Sequence, residues 1–288
     1  MADAKDLENG SANNMNDFAL DKARTHGDNS TSNLRQMLTN NTISDEQFER
    51  LFLSPRNNVS GDLRKTFANP TPLAIMGFSV GLTPLSAELM GWRGSGGSAQ
   101  ATIGATLWFG GVLLLFAGVG EWILGNTFPF IVFMGYGCHF LTFGTSFIPF
   151  FNGVSAYTSG TPYIGGAGNQ MMTPMYAASY GFYPLALAIL SFIFLICSLR
   201  TNLFFFLIFV AATMGFGFAT ASFWYSAVGA MGMAEQFLVA TGGCFWAAAM
   251  FGWYLLFAIM IPTMELPIPA PPIVDLSTVV KAKKPKQV

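Results

Sequence analysis

Charge is what this sequence has least of. Only 10% of its 288 residues are charged, against 52% hydrophobic, where an ordinary soluble domain carries about 25% charge. The scarcity is regional. Of 14 Lys and Arg, eight precede Phe67 and four follow Asp275, leaving Arg93 and Arg200 between. From Phe67 to Glu265 the acids are Glu88, Glu121, Glu235 and Glu265. So long a stretch with so few charges is expected to be a membrane domain. A net charge of −1 gives no argument for nucleic-acid binding. Cysteine is scarce as well: Cys138, Cys197 and Cys244 all fall in apolar runs. No pair of them has a metal-ligand spacing, so three reduced core thiols are expected, with no metal and no cofactor. The first 60 residues lack an apolar core of signal-peptide length, so the first span must serve as the targeting signal. No Ser/His/Asp, HExxH or paired-carboxylate constellation is present, which argues against an enzyme. No glycine loop has a partnering lysine, so phosphorylated substrates fit poorly.

What is present is a run of six apolar spans, 73–90, 102–122, 128–150, 177–199, 203–228 and 237–261, each long enough to cross a hydrocarbon core as a helix. The expected fold is an all-α membrane bundle at 67–262. A largely disordered tail at 1–66 precedes it, and a Pro- and Lys-rich tail at 263–288 follows. Within the first tail, Ser44-Asp45-Glu46-Gln47 has a capping-box pattern, giving either a surface-lying amphipathic helix or a transient one. PIPAPP at 267–272 reads as a short extended spacer. Gly125-Asn126 and Arg200-Thr201-Asn202 make two very short turns on one side. The longer loops 93–101 and 151–176 share the other side; the second is a plain connector or a vestibule. Arg56, Arg64, Lys65, Arg200 and the 281–286 lysines gather on the short-turn side. The positive-inside rule therefore places both termini in the cytosol. The sequons at Asn29, Asn40 and Asn58 should then carry no glycan. Six spans divide into three plus three, and any internal repeat must be inverted, with a substrate path at the repeat interface.

The organising stretch is 67–92, FANPTPLAIMGFSVGLTPLSAELMGW. Asn69 is suited to cap a helix, Pro70 and Pro72 to its first turn, and Gly77/Gly81 to close helix packing. Asn69-Pro70-Thr71-Pro72-Leu73 with Met76-Gly77-Phe78 resembles the signature of the acetate uptake transporter family, the acetate and succinate permeases of bacteria and fungi. Gly120-Glu121-Trp122, Gly125-Asn126-Thr127-Phe128 and Tyr136-Gly137 resemble a second family signature. The likeness extends from about Phe67 to Ile261 and points to a fungal member. It implies a six-span bundle assembled as a ring of six protomers, each with its own pore.

Depth supplies an independent argument. Phe78, Tyr136 and Ala212 lie eight or nine residues past the starts of spans one, three and five. At ~1.5 Å per residue that is roughly 12–14 Å, near the middle of a ~30 Å core. The resemblance implies a narrow hydrophobic gate there, formed by an aromatic, a tyrosine and usually a leucine. Ala212 stands where leucine is usual, which implies a wider or differently tuned gate. Without the resemblance, Phe78 and Tyr136 read as ordinary core aromatics. Tyr136, His139, Phe140 and Phe143 share one helical face. His139 either accepts a proton accompanying a weak acid or is a neutral imidazole donating to a neighbouring helix's carbonyl. Thr213 either offers a hydroxyl to the path or bonds its own i−4 carbonyl. Asn69 is either a plain cap or a carboxylate holder with the helix-end amides. Glu121 either orients the Asn126–Thr127 turn, binds a proton, or is solvated at the interface. Glu88 should pair at the surface with Arg93.

With no Lys or Arg at mid-depth, a crossing carboxylate must be held by neutral donors, pass as the protonated acid, or move with a proton. The expected function is a permease for acetate and similar short monocarboxylates at the plasma membrane, proton-coupled or channel-like. Ammonia or another small neutral solute is the alternative cargo. A membrane sensor of carbon source or acid stress is the alternative class.

Overall fold

The computed structural model describes residues 63–96, 100–151, 153–157 and 173–276. The sequons, the capping box at 44–47, most of the 151–176 loop and the 281–286 lysines lie outside the described residues.

Six helices are long and apolar enough to cross a membrane: α1 (Thr71–Leu89), α2 (Ile103–Ile123), α3 (Thr127–Ser146), α4 (Pro174–Ser198), α5 (Leu203–Ala227) and α6 (Met231–Thr263). Local chemistry explains their ends. Asn69 Oδ1 accepts from the Thr71 amide at 3.0 Å, and Asn202 Oδ1 caps α5 by accepting from the Phe205 amide at 2.9 Å. Thr173 caps α4 ahead of Pro174. α2 and α5 both end on a left-handed glycine, Gly125 (φ 74°) and Gly229 (φ 78°). In each case paired amide-to-carbonyl bonds close the last turn: Asn126 to Glu121 and Gly125 to Trp122, Ala230 to Tyr225 and Gly229 to Ser226. α6 begins six residues before the 237–261 span. The added turns carry Glu235 and Gln236, both exposed.

Gly77 and Gly81 seat α1 directly on α2. A Cβ on Gly81 would lie 2.9 Å from Gly110 Cα, and one on Gly77 2.5 Å from the Phe109 carbonyl. The facing stretch of α2, Thr106–Leu113, is wound as a π-helix. The two short turns share one end of the bundle, here the turn end. There Phe128, at the start of α3, meets Phe194 of α4 at 6.2 Å and Phe209 of α5 at 6.1 Å. The opposite end is the loop end.

Three expectations are corrected. Glu88 is 8% exposed, and its Oε1 accepts from Thr102 Oγ1 at 2.8 Å rather than pairing at the surface with Arg93. The cysteines are free, but Cys138 and Cys197 lie on exposed helix surfaces rather than in the core. The C-terminal tail is also not wholly separate from the bundle. Asp275 forms an antiparallel bridge with Asn202, Leu203 N–H donates to Val274 O (2.9 Å), and Leu276 N–H donates to Thr201 O (3.0 Å). Tyr254 Oη adds a bond to Pro272 O at 2.9 Å. Residues Ile261–Ala270 belong to a second compact unit. Within it, Glu265 takes φ 51° to end the helix, with Leu266 N–H bonded to Ile261 O.

Candidate functional site

Two polar groups tie the turn end together. Glu121 is fully buried: Thr71 Oγ1 of α1 donates to its Oε1 and Asn126 Nδ2 to its Oε2, both at 2.6 Å. Of its three readings, interfacial solvation is removed by this burial, and the bond from Asn126 is the contact that the turn-orienting reading calls for. A buried carboxylate costs least when donors satisfy it, and here they come from the elements flanking it. Neighbouring Thr127 is exposed at the start of α3. Asn69 is exposed too and spends its oxygen on the Thr71 amide. With Pro70 and Pro72 lacking N–H groups, little helix-end amide is left there for a carboxylate.

Further in, apolar side chains from all six helices enclose a line of cavities. The first, about 30 Å³, is walled by Ala74, Ile75, Leu114, Val132, Phe133, Phe205 and Phe209, with Phe78, Tyr136 and Ile208. The second, about 20 Å³, is walled by Leu82, His139, Phe140, Ala212, Phe216, Phe245 and Ala248, again with Phe78, Tyr136 and Ile208. Only those three side chains line both, so the septum between the cavities is Phe78, Tyr136 and Ile208. Each void holds little more than a water or two. The third is a chamber of about 400 Å³ at the loop end, sharing His139, Phe216 and Phe245 with the second. These three form the next pinch: His139 lies edge-on to Phe216 at 5.0 Å, and Phe216 to Phe245 at 5.1 Å.

Side chains of α4 and α5 hold the Tyr136 part of the septum. Tyr136 is 5% exposed, and its ring lies near-parallel to those of Phe209 (6.2 Å) and Phe216 (6.4 Å). Its hydroxyl is 2.9 Å from Ser191 Oγ of α4. The phenol's oxygen is used between helices, while Tyr136 lines both small cavities. Phe78 and Tyr136 thus face a shared interior, and Ala212 joins them at the second cavity. Ile208, one turn before Ala212, supplies the aliphatic bulk at the septum. Thr213 lines none of the three cavities; its Oγ1 donates to the Phe209 carbonyl at 2.7 Å, the i−4 bond. His139 has a side chain at Nδ1 in place of the carbonyl partner of the neutral-imidazole reading. Its Nδ1 lies 2.9 Å from Tyr183 Oη of α4, a phenol rather than a backbone carbonyl. Among the described residues that wall the cavities there is no Lys or Arg, and Glu235 is the one carboxylate.

Residue-by-residue reading missed Ile208, Phe216, Phe245, Ala248 and the partners Ser191 and Tyr183. Ile208 and Phe216 stand four residues either side of Ala212, so helical periodicity from that one position would have found them. Phe245 and Ala248 belong to no quoted motif, and only the packing of α6 brings them in.

The chain has matches among known proteins. Protein alcS of Aspergillus fumigatus is 39% identical over 257 residues, covering 89% of this chain and 93% of that protein. Ammonia transport outward protein 2 of Saccharomyces cerevisiae is 30% identical over 151 residues, 52% of this chain and 49% of its own length. Acetate permease A of Emericella nidulans is 30% identical over 152 residues, 53% of this chain and 48% of its own. Among solved structures, the bacterial acetate channel SatP superposes with a TM-score of 0.53 at 21% identity, covering 72% of this chain and 99% of that one. That match supports the all-α, six-helix fold. The family description GPR1/FUN34/yaaH matches residues 54–274, which bears out the resemblance read from the motifs. The chain is an integral membrane protein and belongs to the GPR1/FUN34/yaaH family.

Proposed function

We propose that this chain is a permease for acetate and similar short monocarboxylates, which pass along the line of cavities through the Phe78–Tyr136–Ile208 septum. The observation that carries the reading is that line itself: voids in series, walled by rings and aliphatic groups, with no fixed cation. A desolvated carboxylate is costly without a partner charge. The cargo therefore crosses as the neutral acid, or with a proton, or in brief contact with neutral donors such as the His139–Tyr183 pair. Ala212 sets the width just past the septum. His139 stands at the second pinch, where a proton accompanying the acid is nearest to an imidazole. Asn69, Glu121, Asn126 and Thr127 act by shaping the turn-end entrance; Thr213 acts only through the backbone of α5. The names of the permease from Emericella nidulans and of the bacterial channel support the cargo.

Lys65 and Arg200 at the turn end support cytosolic termini. Large exposed side chains such as Phe116, Trp122, Phe192 and Ile196 suit lipid or neighbouring copies in a ring of six in the plasma membrane. Ammonia is the second reading, favoured by the yeast relative's name and by a septum that suits small neutral solutes. Labelled acetate uptake into liposomes holding the purified chain separates the two. Competition by propionate and not by methylammonium is expected; the reverse pattern would replace acetate with ammonia, and no flux would favour a sensor.

A further inference from the structure

We infer that the chamber at the loop end is a binding site for medium-chain monocarboxylic acids of about six to eight carbons, which enter but stall at the pinch beyond. The size mismatch comes first. A four-heavy-atom acid fills a few water volumes of ~30 Å³ each, whereas the chamber holds about 400 Å³, within the range of small-molecule pockets. Its inner end is closed by His139, Phe216 and Phe245, beyond which the next void is about 20 Å³. A cargo-sized acid leaves most of this space empty; a longer one fills it and meets a barrier.

The lining selects the chemistry. Phe143, Phe147, Phe223, Leu187 and Leu238 offer rings and branched carbons to an alkyl chain. One polar feature points to a head group. Tyr180 lines the chamber, but its Oη is closed off beside Ser146. A hydroxyl both donates and accepts. The Tyr183 hydroxyl, 2.9 Å from His139 Nδ1, lies on the same wall. A carboxylic acid, one donor and one acceptor on a single carbon, fits such groups. The titratable residues lining the chamber are His139, Tyr180, Tyr183 and Glu235. With Glu235 exposed and no cation among them, multiply charged ligands are disfavoured. A single neutral head on an apolar chain is the class that remains.

The stalling half of this inference rests on the permease reading; the binding half does not. The full chain in lipid nanodiscs is photolabelled with an eight-carbon acid carrying a diazirine near its terminal carbon, and labelled residues are mapped by mass spectrometry. Labels are expected on Phe143, Phe223 or Leu238. Unlabelled octanoate should compete better than hexanoate, by about fourfold per methylene, and acetate should compete hardly at all. Ala219→Phe, which fills the chamber, should abolish labelling. Tyr183→Phe, which removes only the oxygen, should weaken it severalfold. In liposomes without a pH gradient, octanoate should slow labelled acetate exchange in wild type and not in Ala219→Phe. Labels confined to lipid-facing surfaces, or labelling unchanged in both variants, would overturn the site. Should Ala219→Phe fail to fold, Tyr183→Phe and the label map decide alone. Absent acetate exchange with chamber labelling intact would instead remove the permease reading and keep the site.

Discussion

The two halves of the interior are built from the same side chains and do opposite things. Toward the turn end, rings stack on rings, and the voids shrink to about 30 and 20 Å³ around Phe78, Tyr136 and Ile208. Toward the loop end, comparable rings stand apart around about 400 Å³. Composition does not separate the halves. At the narrow end Gly77 and Gly81 bring α1 onto α2, and the buried Glu121 binds the α1 start to the α2–α3 turn. Near the loop end the other buried carboxylate, Glu88, has only Thr102 on one oxygen, and its Oε2 has no hydrogen-bond partner among the described residues. Selectivity is thus expected where the chain is most tightly tied, and capacity where it is not.

Breaking the tight half should have the largest effect. Gly81→Leu drives a side chain into Gly110 and should cost about 1–3 kcal/mol by overpacking, read as a lower thermal unfolding midpoint together with lost acetate flux. Equal additions in the two halves sharpen the contrast. Ala212→Leu fills the second cavity and should slow acetate uptake about tenfold, a barrier increase of ~1.4 kcal/mol. Ala219→Leu, in the chamber, should slow it by no more than about twofold, under ~0.5 kcal/mol by the same relation. If the two variants behave alike, the halves do not differ in the way proposed. The smallest effect concerns the septum's support. Tyr136→Phe keeps the ring and loses the bond to Ser191. It should cost ~0.6 kcal/mol of stability, the usual worth of an interhelical bond in lipid, with flux little changed. A large loss of flux would mean that the hydroxyl meets the cargo.

Much of this was legible in the sequence, and the reasons for the rest are physical. Spans and turns follow from apolar run length and from Gly and Asn at the breaks, which are local properties. Gly77 and Gly81 announced a close helix contact, and depth counting placed Phe78, Tyr136 and Ala212 at one level. The burial of Glu88 was not legible, because it depends on Thr102 arriving from another helix. Nor was the docking of residues 271–276, since backbone-to-backbone bonds leave no side-chain pattern to read. The role of Ile208 was hidden for a different reason. One aliphatic residue in a uniformly apolar helix carries no signal until its neighbours are known.

The most direct test of the septum is acetate uptake into liposomes by Ile208→Trp, checked for folding by its thermal midpoint. The larger side chain lies where both small cavities meet, so a folded variant should pass almost no acetate. Wild-type uptake by a folded Ile208→Trp would mean that acetate crosses somewhere other than between Phe78, Tyr136 and Ile208.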